Sequence, residues 1–192
     1  MKVVIKDVRH AFPNLNEPGT IPGSKGKPAW SDRLIIPKKH PAVRDIEAAI
    51  EAVAEEKWGD KAPGILAKLY KDGEVAFSKE EYANKDGEVY AGFENAYHLG
   101  CRSEKVQPTC VDRDRTKLLG DEIDRRLYSG CYVVAHVDFW AQDNEFGRGV
   151  RAVLTGIQFF RDGDSFGGGR PSSADEFEDY SDGVDDDDGD LD

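Results

Sequence analysis

From Gly130 to Arg161 the chain carries two long runs of alternating apolar and polar side chains around a short polar turn. In the first, Val133, Ala135, Val137, Phe139 and Ala141 alternate with Tyr132, Val134, His136, Asp138 and Trp140. The turn is Asp143-Asn144-Glu145-Phe146-Gly147, and Val150 to Arg161 forms the second run. A period of two places one set of side chains on each face of a strand, so this is a long hairpin with one apolar face. Such a face needs further strands or helices to cover it, which points to a small barrel or half-open sheet.

The rest of the sequence supplies them. Val3, Ile5 and Val8 predict a first strand within Lys2 to Phe12, and Asn14 to Pro28, rich in Pro, Gly, Asn and Lys, reads as a long loop. Trp30 to Pro37 is a second strand; Val89 to Leu99 and Lys105 to Val111 suggest two more. Val43, Ile46, Ile50 and Val53 recur at helical spacing after Pro41, and a shorter helix is expected over Gly64 to Tyr70. The expected fold is therefore mainly β: an OB-fold-like five-stranded barrel with a helical insertion at about 41–70. A barrel of another topology fits the same pattern.

Charge divides the chain a second way. The net charge is −12, yet eleven carboxylates lie between Pro171 and Asp192 with no Lys or Arg among them. Residues 1–170 are left with 26 basic and 27 acidic side chains, a nearly neutral body. Phe166-Gly167-Gly168-Gly169-Arg170-Pro171-Ser172-Ser173 reads as a hinge, and the acidic stretch beyond it has too few apolar residues to repay the entropy of ordering. The expected organisation is a binding domain over 1–168 and a disordered acidic tail over 169–192.

Membrane, secretory and metal classes find no support. No run approaches the roughly 20 apolar residues of a membrane span, and Met1-Lys2-Val3-Val4-Ile5-Lys6-Asp7 returns to charge too soon for a secretory signal. A soluble protein of the cytoplasm is expected. Cys101, Cys110 and Cys131, with His98 and His136, lack the close ligand pairs of a structural zinc site and are expected to be buried thiols. Neither metal nor cofactor is expected. Phosphate-cradling glycine loops and nucleophile elbows are absent as well. Asp112, Asp114 and Asp138 are the carboxylates that a metal-dependent nuclease would use, and they lack a companion set on neighbouring strands. A non-enzymatic protein is expected.

The remaining chemistry suits an unpaired nucleic-acid strand. Aromatic faces stack on bases of any sequence, while Lys and Arg neutralise phosphates. Tyr132 and Trp140, with Trp30 and Tyr97, are the candidate stacking residues. Lys25, Lys27, Arg33, Lys38, Lys39, Arg113, Arg115, Arg148 and Arg151 are the candidate phosphate contacts. These aromatics serve equally as core, and the Asp112-Arg113-Asp114-Arg115 run serves equally as a solvated salt-bridge ladder. In the tail, Phe177, Tyr180, Asp185, Asp186, Asp187, Asp188, Asp190, Leu191 and Asp192 form a polyanion that mimics nucleic acid and offers apolar handles to partners. A protein-interaction module without DNA binding is the alternative, and a nuclease the more remote one.

Several motifs also carry a family likeness. Ser129-Gly130-Cys131-Tyr132-Val133, Val137-Asp138-Phe139-Trp140-Ala141, Gly156-Ile157-Gln158-Phe159 and Arg161-Asp162-Gly163, with Phe166-Gly167 and the acidic end, resemble a family of bacteriophage and prophage proteins. Pro108-Thr109, Val111 to Arg115, Val8 to Phe12 and Trp30-Ser31 match it too, so the likeness spans nearly the whole chain. Many of its members are known only as a domain of unknown function. The family is similar to phage single-stranded DNA-binding proteins with an OB-fold and an acidic tail. That resemblance implies single-strand binding in phage DNA replication, recombination or repair, in the cytoplasm of a bacterial host, with polymerase or helicase as partners of the tail. This chain ends Asp190-Leu191-Asp192 where such tails often end in an aromatic residue. A homodimer is compatible with the sequence.

Overall fold

The computed structural model describes residues 1–20 and 26–167. Among these residues seven strands form one sheet: β1 (Lys2–Gly19), β2 (Ala29–Pro37), β3 (Phe77–Ser78), β4 (Ala96–Ser103), β5 (Thr109–Val111), β6 (Tyr132–Asn144) and β7 (Gly147–Arg161). Their order across the sheet is β3-β4-β2-β1-β6-β7-β5. All neighbours are antiparallel except β5, which runs parallel to β7.

The two sides of this sheet meet. Val150 donates its N–H to the carbonyl of Glu74 at 3.0 Å, Ala76 donates to Val150 at 2.8 Å, and Gly100 donates to Ala76 at 3.0 Å. The segment leading into β3 thus stitches β7 to β4 and closes a barrel of five long strands: β1, β2, β4, β6 and β7. Gly149 sits on this seam, where a Cβ would come within 2.7 Å of the Glu74 carbonyl oxygen. The mainly β barrel expected from the sequence is present, with seven strands rather than five because β3 and β5 are short additions.

β1 is the strand that serves both halves of the barrel. It pairs with β6 through Lys2 to Arg9 and with β2 through Arg9 to Gly19, and its register slips between Ile5 and Val8 and again between Ala11 and Asn14. Asp7 (φ 56°) and Phe12 (φ 55°) stand at those slips. An extra residue in one strand bends it and sharpens its twist, which lets one strand belong to two sheets. The loop expected from Asn14 is therefore strand as far as Gly19: paired backbone outweighs the turn-forming composition. Similarly, the strand expected over Val89 to Leu99 begins only at Ala96, and the one expected from Lys105 begins at Thr109.

Two helices, α1 (Ala42–Trp58) and α2 (Ala62–Lys71), fill the connection from β2 to β3, as the apolar spacing predicts. Ile46, Ala49, Ile50 and Val53 line the buried stripe of α1, which lies against β1 and β6. A third helix, α3 (Asp121–Arg126), has only Ile123 buried, too short a pattern to read from sequence. Inside the barrel, Ile5, Leu34, Leu99, Val133, Val137, Phe139 and Ile157 form the centre of the core. Among them lies an ion pair with no exposed side-chain surface. Nδ1 of His10 sits 2.9 Å from a carboxylate oxygen of Asp32, and Nε2 lies 3.0 Å from the Tyr128 carbonyl. Acceptors on both nitrogens suit the imidazolium form. Burial opposes that charge, but the Asp32 carboxylate overrides it and raises the pKa to about 10. Cys101, Cys110 and Cys131 are free and buried, as expected.

Among the described residues, no helix is long and apolar enough to cross a membrane.

Candidate nucleic-acid interface

A groove of about 2710 Å³ crosses the outer face of β2 and β4. At one end it meets the connection between β1 and β2, through Thr20, Gly26 and Lys27; at the other it meets the β6–β7 turn, through Gln142, Asn144 and Phe146. Strand alternation decides what its floor presents. In β2, Asp32, Leu34 and Ile36 point into the barrel, so Ser31 and Arg33 point out. In β4 the same alternation turns His98, Gly100 and Arg102 outward, and the register pairs Arg33 with Gly100 and Ser31 with Arg102.

The lining is positive although the body as a whole is nearly neutral. Lys27, Arg33, Lys71, Lys79, Lys85, Arg102, Lys105 and Arg151 face it, against four carboxylates, of which Asp32 is buried and bonded to His10. Clustered cations in a concave surface raise the local potential, which attracts a polyanion. Several are held in place. Arg151 donates to Glu74 at 2.6 Å and to Gln142 at 3.1 Å. Arg33 donates to Nδ1 of His98 at 2.9 Å, while its guanidinium lies 3.9 Å from the centroid of the Tyr82 ring. Burial first, and then the Arg33 charge, lower the His98 pKa to about 4, so this ring accepts from Arg33 as the neutral imidazole.

Of the sequence candidates, Lys27, Arg33, Trp140 and Arg151 share this groove, with Trp140 44% exposed and paired across the hairpin with Arg151. The others lie apart. Trp30 is on the barrel face of β2, and its buried indole N–H has no hydrogen-bond partner among the described residues. Tyr97 packs edge-on against Phe77 and joins the core. Tyr132 stands eight residues from Trp140 on the same strand face, roughly 26 Å away, with the Arg161 guanidinium 3.3 Å from its ring centroid. Lys38 and Lys39 occupy the turn after β2, remote from Lys27 at the start of that strand. Arg113 and Arg115 lie in the turn after the edge strand β5, where Gln158 donates to the Asp112 and Arg113 carbonyls. Arg148 pairs with Asp143 beside Trp58, whose indole donates to the same carboxylate at 2.8 Å. Lys25 and the tail candidates fall outside the described residues.

For the nuclease alternative, the single N–H of Arg126 Nε is shared between both carboxylate oxygens of Asp112 at 2.9 Å, and Asp138 accepts from the Met1 ammonium at 2.8 Å. Asp112 and Asp114 belong to the turn after β5, and Asp138 to β6.

The groove also contains residues the sequence candidates omit: Phe12, Tyr82, Tyr90, Arg102 and Phe146. Tyr82 and Tyr90 flank Asn84-Lys85-Asp86-Gly87, a turn with Ala83 bridged to Val89. Asn and Gly at that spacing between two tyrosines was the signal for a small hairpin.

A closed barrel whose cleft runs between its first loop and its last hairpin is the OB architecture. The chain belongs to the family described as Enterobacter phage Enc34, ssDNA-binding protein, whose model matches residues 1–190. It is 39% identical over 184 residues to protein p50 of Acyrthosiphon pisum secondary endosymbiont phage 1, covering 94% of this chain and 95% of that protein. In fold it is similar to the single-stranded DNA-binding protein from bacteriophage Enc34 in complex with ssDNA: TM-score 0.71, 22% identity, 86% of this chain and 89% of that one. It is also similar to gp2.5, a single-stranded DNA-binding protein encoded by bacteriophage T7, with TM-score 0.55, 16% identity and coverage of 96% and 97%.

Proposed function

We propose that this protein binds single-stranded DNA without sequence preference through the groove across β2 and β4, and carries out no chemistry on it. The observation that supports this most directly is the lining itself: among the described residues, eight Lys and Arg side chains and an exposed Trp140 along one cleft of a body that is close to neutral as a whole. OB-folds bind oligonucleotides on this face, between these two loops, and the Enc34 relative of similar fold is a complex with ssDNA.

In this reading residues 1–168 are the binding domain and 169–192 an acidic tail. Tethered to the domain, the tail competes with DNA for the groove at an effective concentration on the order of millimolar. Once displaced, it is free to recruit replication proteins. The setting is phage DNA replication, recombination or repair inside the host cell.

Fluorescence anisotropy of labelled oligo-dT over a salt series tests the reading. Binding should weaken with a slope of about −0.7 per neutralised phosphate. A chain ending at residue 170 should bind more tightly than the full chain at low salt. Absence of binding by both chains at low salt overturns the proposal.

A further inference from the structure

The groove has an aromatic end that its cations do not explain. Phe12 is 49% exposed and Tyr90 36% exposed, with ring centroids 5.1 Å apart and planes at 73°. Beneath Phe12, buried Phe93 lies nearly parallel at 6.3 Å and 16°. Tyr90 in turn is stacked on Tyr82 at 5.2 Å and 27°, and Tyr82 is enclosed by the Arg33 guanidinium, Phe93 and His98. Phe12 and Tyr90 are thus the two open rings of a supported stack.

The backbone at Phe12 sharpens the point. With φ 55° it lies in the left-handed region, which a bulky L-residue occupies only under strain. Asn or Gly would suit that conformation better and would spare the exposure of an apolar ring. Bulges re-aim side chains, and this one turns an aromatic ring out of β1 into the groove lining.

We propose that the exposed faces of Phe12 and Tyr90 form a stacking subsite for one unpaired nucleobase of a strand lying in the groove. The occupant is a base because the subsite is flat and apolar while Lys85, on the same groove wall, supplies charge for a flanking phosphate; Lys79 beside it is ion-paired with Glu47. A base in a duplex keeps its faces covered by its neighbours and cannot enter without unstacking. The inference rests on the groove being the DNA site.

The test uses the full chain and two probes at low salt: an oligo-dT of about 15 nucleotides, within the span of OB-fold site sizes, and an abasic phosphodiester oligomer of equal length and charge. Phe12→Asn removes the ring but suits the left-handed backbone. Phe12→Leu retains apolar contact with Phe93 and lacks a π-face. Both variants should lose on the order of tenfold in affinity for oligo-dT and change by less than about twofold toward the abasic oligomer. Equal losses on both probes, or no loss on either, overturn the subsite. Arg102→Ala and Arg151→Ala report on the groove separately, because they should weaken both probes. If they weaken neither, the groove itself is not the DNA site.

Discussion

The guanidinium of Arg33 lies 3.9 Å from the ring centroid of Tyr82. Arg33 therefore supports the wall formed by residues 79–95 as well as contributing charge, and its Nη1 is already engaged by His98. Lysine cannot reproduce a planar stack with a directed N–H. Arg33→Lys should cost about 1 kcal/mol, lowering the thermal midpoint by roughly 2–4 °C. Hydrogen exchange should rise across residues 79–95 while β6 and β7 stay protected. Unchanged protection in that loop would show that the stack carries no such load.

Trp30 and Trp140 sit on opposite faces of the barrel wall, and one experiment separates them. Trp30→Phe should leave oligo-dT affinity within about twofold of the parent. It should not lower the thermal midpoint, since it removes a buried N–H without a partner among the described residues, a group that costs about 1–3 kcal/mol unsatisfied. Trp140→Ala should weaken oligo-dT binding on the order of tenfold with little change in stability.

The His10–Asp32 pair sets an alkaline limit. The folded pKa of His10, about 10, lies above the ordinary 6.5, so the folded state holds this proton more tightly than the unfolded chain. The resulting stabilisation is complete below about pH 6.5 and is lost as pH climbs through 10. Burial also raises Cys110 to about 12 and raises Cys101, so these thiols act in the same direction above about pH 9. The thermal midpoint should fall from pH 7 to 10, and a His10→Gln, Asp32→Asn double variant should show a shallower fall over pH 7 to 9.

His98 works in the opposite sense. Its folded pKa of about 4 is below the ordinary value, so the unfolded chain takes up a proton first as the medium is acidified. Stability should fall between about pH 6.5 and 4, and His98→Gln should flatten that limb of the curve. A variant that follows the parent limb unchanged would remove His98 as its source.

Gly149→Ala should strike the barrel seam. Its Cβ would lie 2.7 Å from the Glu74 carbonyl oxygen and from the Arg151 guanidinium carbon. Overpacking of this kind typically costs about 1–3 kcal/mol. Urea unfolding should shift to lower denaturant, and oligo-dT affinity should fall with it because Arg151 lies in the groove. A variant as stable as the parent would mean the seam yields freely.

What could be read from the sequence was whatever depended on local periodicity. The hairpin Tyr132 to Arg161 and the helices around Ile46 and Leu66 follow from spacing alone. Lys27, Arg33, Trp140 and Arg151 were legible as a chemistry, since cations and an exposed ring on strands suit phosphates and bases. Which residues share one surface was not legible. Tyr132 and Trp140 alternate perfectly yet stand at opposite ends of β6, and Trp30 faces inward because of the register of β2 with β4. Phe12 was hidden because its outward turn comes from a bulge at Phe12-Pro13, which no period describes. Glu74 to Phe77 escaped notice since a few residues of irregular chain complete the barrel through three hydrogen bonds.

That closure ties the two helices to the architecture of the whole. The residues that lock β7 to β4 are delivered by the end of α2, so the excursion after Pro37 is the route by which the chain reaches its own last joint. Cutting it out and splicing the ends with a short linker would leave an unzipped ribbon with two bare rims and no cleft between its loops, however many of the arginines were kept.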